Sequence, residues 1–150
     1  MNAWQRYGSF AARLALAAIF IHSGFGKLTS PEGAAGYIAA KGLPSPMLLA
    51  LGAGLLELLG GLALVAGLRT RWAAVALALF LVPTTFFFHN PSGLDAAAAQ
   101  MQSVQVYKNL AIAGGLLMLA SWGAGPLSLD ARRRGPAALP AERPAVRRAA

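Results

Sequence analysis

Glu57 is the only charged residue between Met47 and Leu68; everything else in that stretch is aliphatic or glycine. A carboxylate held in the middle of a bilayer costs about 2.5–3.5 kcal/mol even on a lenient insertion scale. It must be protonated, paired or facing water. Five further polar residues gather near the ends of the neighbouring apolar stretches: His22, Lys27, His89, Lys108 and Asn109. At a helical rise of about 1.5 Å per residue, His22 sits slightly outward of mid-span and Lys27 further out. The long stem of Lys27 lets its ammonium reach in either direction. His89, Lys108 and Asn109 approach from the same outer side. If they converge, they form an outward-opening polar pocket whose His and Glu can carry protons and whose Lys and Asn can donate hydrogen bonds.

Each of these residues also has a plain reading. Glu57 can pair with His22, Lys27 or Lys108 and serve only to lock helices together; the sequence leaves that choice open. His22 reads as a packed or interfacial histidine, and His89 as a helix-end cap beside Asn90-Pro91. No metal site is expected from His22, His89 and Glu57, because no two share a helix and no i, i+4 spacing supports one.

The elements that must position these residues are long and oily. The chain has 150 residues, 57% hydrophobic and 12% charged, where soluble domains carry about 25% charged residues. A soluble fold of this composition would expose large apolar patches. Spanning hydrocarbon takes about 20 helical residues. Four blocks qualify: about 8–28, 47–68, 72–88 and 104–124. They are rich in Ala and Leu and lack polar/apolar alternation, which selects helix over strand. The first block is expected to be retained, since His22 to Lys27 is no small-x-small cleavage site. Pro83 is expected to kink the third. The fold class is therefore all-α, a polytopic membrane four-helix bundle. One unit is expected over residues 1–130, followed by a basic, disordered cytoplasmic tail over 131–150.

The connections differ in kind. Residues 67–71, Gly-Leu-Arg-Thr-Arg, make a tight turn, so the second and third helices are antiparallel neighbours. Glu32 to Lys41 can form a short interfacial helix between Gly/Pro breakers. His89-Asn-Pro-Ser-Gly signals a turn, followed by an Ala/Gln run that can be helical before the fourth span. Gly54, Glu57, Gly60 and Gly61 share one helix face by their spacing. A neighbouring backbone can therefore come close to the carboxylate. Phe86-Phe87-Phe88 and Trp72 fit interfacial aromatic belts.

Charge distribution sets orientation. Arg6, Arg13, Arg69, Arg71, Arg132, Arg133, Arg134, Arg143, Arg147 and Arg148 fall on one side, and Lys27, Lys41 and Lys108 on the other. The basic side is cytoplasmic, so both termini are expected inside a bacterial inner (plasma) membrane. Arg69, Arg71, Arg132, Arg133 and Arg134 read as cytoplasmic anchors, with the last three touching anionic lipid. Arg13 is expected to snorkel inward or pair with the tail. The net charge of +8 is spent at these flanks, which argues against nucleic acid as a partner. With no cysteine, the chain performs no thiol or disulfide chemistry of its own.

The motifs resemble the DoxX family of four-helix membrane proteins. The matching pieces are His22-Ser-Gly-Phe-Gly-Lys-Leu28, Glu57-Leu-Leu-Gly-Gly, and Gly67-Leu-Arg-Thr-Arg71. His89 follows, then Lys108-Asn109-Leu, Gly114-Gly115-Leu-Leu and Gly123-Ala-Gly-Pro-Leu-Ser-Leu-Asp130. Their order covers about 120 residues. The resemblance implies a membrane subunit linked to quinone-dependent sulfur oxidation or to an oxidative-stress complex. A quinone would sit in the polar pocket. Since no dinucleotide loop or nucleophile elbow is present, electrons would come from a partner protein. The alternative is a non-catalytic scaffold or assembly partner, for which a lysine satisfies Glu57 and no pocket remains. A small-solute carrier would need inverted repeats or broken helices, or else assembly of a homo-oligomer.

Overall fold

The computed structural model describes residues 3–134. Six helices follow one another: α1 Ala3–Thr29, α2 Pro31–Ala40, α3 Pro46–Ala66, α4 Thr70–Phe88, α5 Ala96–Trp122 and α6 Leu129–Arg134. Helices α1, α3, α4 and α5 are each long and apolar enough to cross a membrane. No strand occurs among the described residues. The short helix expected between Glu32 and Lys41 is α2.

Two boundaries differ from expectation. The fourth span starts at Ala96, not near Val104. Asp95 caps it by accepting a hydrogen bond from the Ala98 N–H at 2.9 Å, which anchors the helix start. Lys108 and Asn109 therefore lie well inside α5 instead of opening it. The expected tail begins as helix: α6 runs through Arg132, Arg133 and Arg134. Residues 135–150, with Arg143, Arg147 and Arg148, lie outside the described residues.

Glycine decides how closely the helices approach. A Cβ on Gly24 would stand 2.5 Å from the Leu58 nitrogen and 2.7 Å from the Gly54 carbonyl oxygen. A Cβ on Gly61 would meet Ile21 at 2.7 Å. α1 and α3 are thus in near backbone contact along the Gly54–Gly61 face, as close packing in lipid requires. Gly60 admits Leu77 of α4 in the same way, and Gly115 of α5 admits Leu16 of α1. The buried core is small: one cluster holds Ala17, Phe20, Leu64, Ala74, Leu77, Leu81, Leu116 and Leu119, and a second, where α2 meets α3, holds Ala35, Ile38 and Ala50.

The outer faces are apolar. Leu48 is 70% exposed and Leu110 66%, a pattern that lipid solvates and water does not. Trp4, Trp72 and Trp122 are the most exposed large hydrophobic side chains among the described residues, and all three stand at the end of the bundle that holds Arg69 and Arg71. Such a girdle marks a bilayer interface.

That end is closed by one buried arginine. Arg13 is fully buried; instead of snorkelling inward or pairing with the tail, as expected, its guanidinium bonds carbonyls of α3 and of Leu127, ahead of the tail. Its Nη1 donates to the Leu64 carbonyl at 2.8 Å and to that of Val65 at 3.2 Å. Its Nη2 donates to the Leu127 carbonyl. The guanidinium thus adds donors at the carbonyl end of α3, where Leu64 also accepts the Gly67 N–H at 3.2 Å, and ties that end to Leu127. Gly67 adopts φ 64° at the α3 C-cap, and the Asp130 N–H donates to its carbonyl at 2.8 Å. The Asp130 carboxylate accepts from the N–H groups of Arg69 at 2.7 Å and Thr70 at 2.9 Å. It caps the N-terminus of α4, where negative charge is favoured.

Candidate functional site

At the opposite end the helices enclose a cavity. α3 and α4 touch at Gly60 and Leu77 and both border open space further along. α2 spans the top: the Tyr37 hydroxyl donates to the Phe88 carbonyl at 3.1 Å, and the two rings stand 5.2 Å apart. The space beneath has a volume of about 690 Å³, within the range of small-molecule sites. Its walls are mostly apolar, from Phe20, Leu49, Ala53, Phe80 and Ile112 among others.

Glu57 and Lys27 stand in that wall. Lys27 Nζ lies 2.7 Å from Glu57 Oε2. Ser23, one turn before Lys27 on α1, bridges the pair: its hydroxyl accepts from Lys27 Nζ at 2.5 Å and donates to Glu57 Oε1 at 3.2 Å. The close approach at Gly24 and Gly54 makes this contact possible, because Gly54 lies under the Lys27 Cβ. Glu57 is thereby buried and paired, as a charge in an apolar wall must be. A lysine ammonium carries three N–H donors. Two are engaged, by Glu57 and Ser23, which leaves one for the cavity side.

The opposite wall carries the other polar groups. Asn109 is buried, and its Nδ2 donates to Thr85 Oγ1 at 2.9 Å, joining α5 to α4. His89 is the C-cap residue of α4, and its Nδ1 lies 3.0 Å from Gln102 Oε1. Lys108 is exposed and donates to Gln105, one turn back. His89, Lys108 and Asn109 all line the cavity. His22 does not: it is exposed and lies outside the cavity wall. The helical turn that points Ser23 and Lys27 inward points His22 outward. Among the described residues no cluster of three His, Cys, Asp or Glu could hold a metal ion.

Ser23, Thr85 and Arg13 were not singled out for these roles from the sequence. The spacing of Ser23 and Lys27 does carry a signal, since residues four apart share a helix face. Thr85 and Arg13 carry none, because their partners are set by helix–helix register.

The chain is 38% identical to Inner membrane protein YqjF of Escherichia coli (strain K12), over 87% of this chain and 95% of that protein. It is 36% identical to Inner membrane protein YphA of the same strain, over 81% of this chain and 86% of that protein. A more distant relative is the ER-derived vesicles protein ERV29 of Saccharomyces cerevisiae (strain ATCC 204508 / S288c), 29% identical over 53% of this chain and 26% of that protein. No solved structure matches the chain. The profile of the DoxX family matches residues 8–90, which cover the Lys27–Glu57 pair, the α3–α4 turn and His89. With four membrane-length helices and these relatives, the chain belongs to the DoxX family.

Proposed function

We propose that this inner-membrane protein binds the head group of a membrane-soluble quinone in the cavity, as the membrane subunit of a quinone-linked redox or oxidative-stress system. The observation that carries the reading is the cavity itself: a largely apolar space with Lys27 and Glu57 in one wall and His89, Lys108 and Asn109 in another. A quinone head is a flat apolar ring with carbonyl acceptors at its two ends. The spare Lys27 N–H supplies a donor for one carbonyl. Reduction of a quinone to its quinol takes up two electrons and two protons. Glu57 and His89 are the groups placed to carry protons, and a partner protein supplies the electrons.

The orientation belongs to the same proposal. The arginine-rich, tryptophan-ringed end faces the cytoplasm with both termini, and the cavity faces the periplasmic half of the bilayer. A reporter fused to the C-terminus should be active only inside the cell.

A second reading is a non-catalytic scaffold, and the Lys27–Glu57–Ser23 contact favours it. That contact joins α1 to α3 and satisfies the carboxylate with no ligand. The cavity counts against it, since a pure scaffold gains nothing from leaving one.

Titration of the purified protein with a ubiquinone analogue tests the first reading; no saturable binding rejects it. Glu57→Gln and Glu57→Ala then separate the two. If Gln preserves membrane accumulation but weakens quinone binding, the pair serves the pocket. If both variants only lose protein, the pair is structural.

A further inference from the structure

The cavity borders the surroundings at Ile19 of α1 and, over a longer stretch, between α3 and α4; that longer opening says how a ligand with a long apolar chain would sit in it. On α3, Leu48, Gly52 and Leu56 follow one another at intervals of one turn; all three line the cavity and all three are exposed on the outside of the bundle. On α4, Pro83 and Phe87 do the same. Residues that face both the interior and the surroundings form the frame of a window. Its apex is the Gly60–Leu77 contact, where α3 and α4 meet. Its lintel is the Tyr37–Phe88 hydrogen bond, which ties α2 to the end of α4. Every side chain named on the two uprights is apolar, so the window opens onto acyl chains and not onto the polar head-group layer.

Gly52 is the narrow point in composition. A Cβ there would meet nothing within 4 Å, unlike Gly24, Gly54, Gly60 and Gly61, whose missing Cβ atoms permit helix contact. Packing therefore does not explain a glycine at position 52. Its lack of a side chain leaves the α3 side of the window clear. On α4, Pro83 interrupts the helical hydrogen bonding.

We propose that the α3–α4 window is the lateral passage for the apolar chain of the bound ligand, and that Gly52 determines whether a long-chain ligand can occupy the cavity. This deepens the quinone reading and rests on it. The ring lies inside beside Lys27 and Glu57, and the chain leaves past Gly52 and Pro83 into lipid. The passage adds little affinity, because lipid solvates a hydrocarbon chain as well as leucine does. Its role is steric: the cavity holds a ring, and a chain of several isoprene units must have a way out.

The test uses the full-length protein in detergent and two benzoquinones with the same ring, one without a chain and one carrying several isoprene units. Gly52→Trp should weaken binding of the long-chain quinone by at least about tenfold, or about 1.4 kcal/mol. Binding of the chain-free quinone, which has no chain to pass Gly52, should fall by a clearly smaller factor, so the ratio of the two affinities is the readout. Gly52→Leu fills the same open space with less bulk. It should give a smaller loss in the same direction, and it serves if the tryptophan variant does not accumulate. The proposal is overturned if both variants bind the long-chain quinone as the wild type does. It is also overturned if Ile19→Trp, at the exposed cavity-lining position of α1, selectively blocks it instead. If the wild-type protein binds neither quinone, the quinone reading itself falls. If it binds the chain-free quinone but rejects the long-chain one, only the passage falls.

Discussion

The ammonium of Lys27 stands 2.7 Å from the carboxylate of Glu57, and the two ends of the contact are covered unequally: the lysine side chain is 25% exposed and the glutamate 7%. The carboxylate is fixed in the helix interface, while the lysine keeps a face on the cavity. Removing either partner should therefore have different consequences.

Lys27→Met should leave a buried carboxylate without its counter-charge and cost about 3 kcal/mol. Glu57→Gln should cost less, because the remaining lysine can turn toward the cavity and water. The double change Lys27→Met with Glu57→Leu should recover most of the loss. Denaturant titration in detergent, arranged as a double-mutant cycle, measures the coupling. A cycle with no coupling would show that the pair does not hold α1 to α3.

Gly24→Ala should destabilise strongly, by about 1–3 kcal/mol or more, since the new methyl group meets the backbone of Leu58 and Gly54. Gly26→Ala, two residues on, meets nothing within 4 Å and should be neutral or slightly stabilising in a helix. Melting temperatures of the two variants, side by side, check the close approach of α1 and α3.

Asp130→Ala should loosen the arginine end. It deletes the acceptor for the Arg69 and Thr70 N–H groups, a capping loss of about 1 kcal/mol. Arg13→Met should cost more, because it removes three hydrogen bonds at once, to the carbonyls of Leu64, Val65 and Leu127. Hydrogen exchange should report the damage first at residues 64–70 and 124–130. Faster exchange near Tyr37 instead would contradict this account.

The two histidines should behave differently. His22→Ala should leave quinone binding within about twofold, as an exposed position outside the cavity should. His89→Ala should weaken it severalfold, through loss of a polar group in the wall and of its contact with Gln102. Equal effects of the two changes would place the ligand elsewhere.

Much of this was legible from residue types alone. Four apolar blocks, the tight turn at residues 67–71, the short helix after Ser30 and the demand that Glu57 be protonated, paired or wetted all follow from residue types along the chain and from what lipid does to backbone polar groups and charges. Each depends on chain-local chemistry, so order along the chain suffices. The start of α5 was also written locally, in Asp95 ahead of an alanine run, but the polar Gln and Ser residues that follow hide it from a hydropathy count.

What the tertiary structure decided is which faces meet. Lys27, not His22 or Lys108, is the partner of Glu57, because Gly24 and Gly54 set the crossing of α1 on α3 and only one turn of α1 comes within reach. Arg13 closes the bundle instead of reaching for the surface, because the end of α3 and the 124–130 segment bring the carbonyls of Leu64, Val65 and Leu127 to one point. The cavity exists because α3 and α4 touch at Gly60 and Leu77 and part beyond. Composition fixes how many helices cross and how greasy they are. Helix azimuth and crossing arise from contacts between segments distant in sequence, and no single segment carries that information.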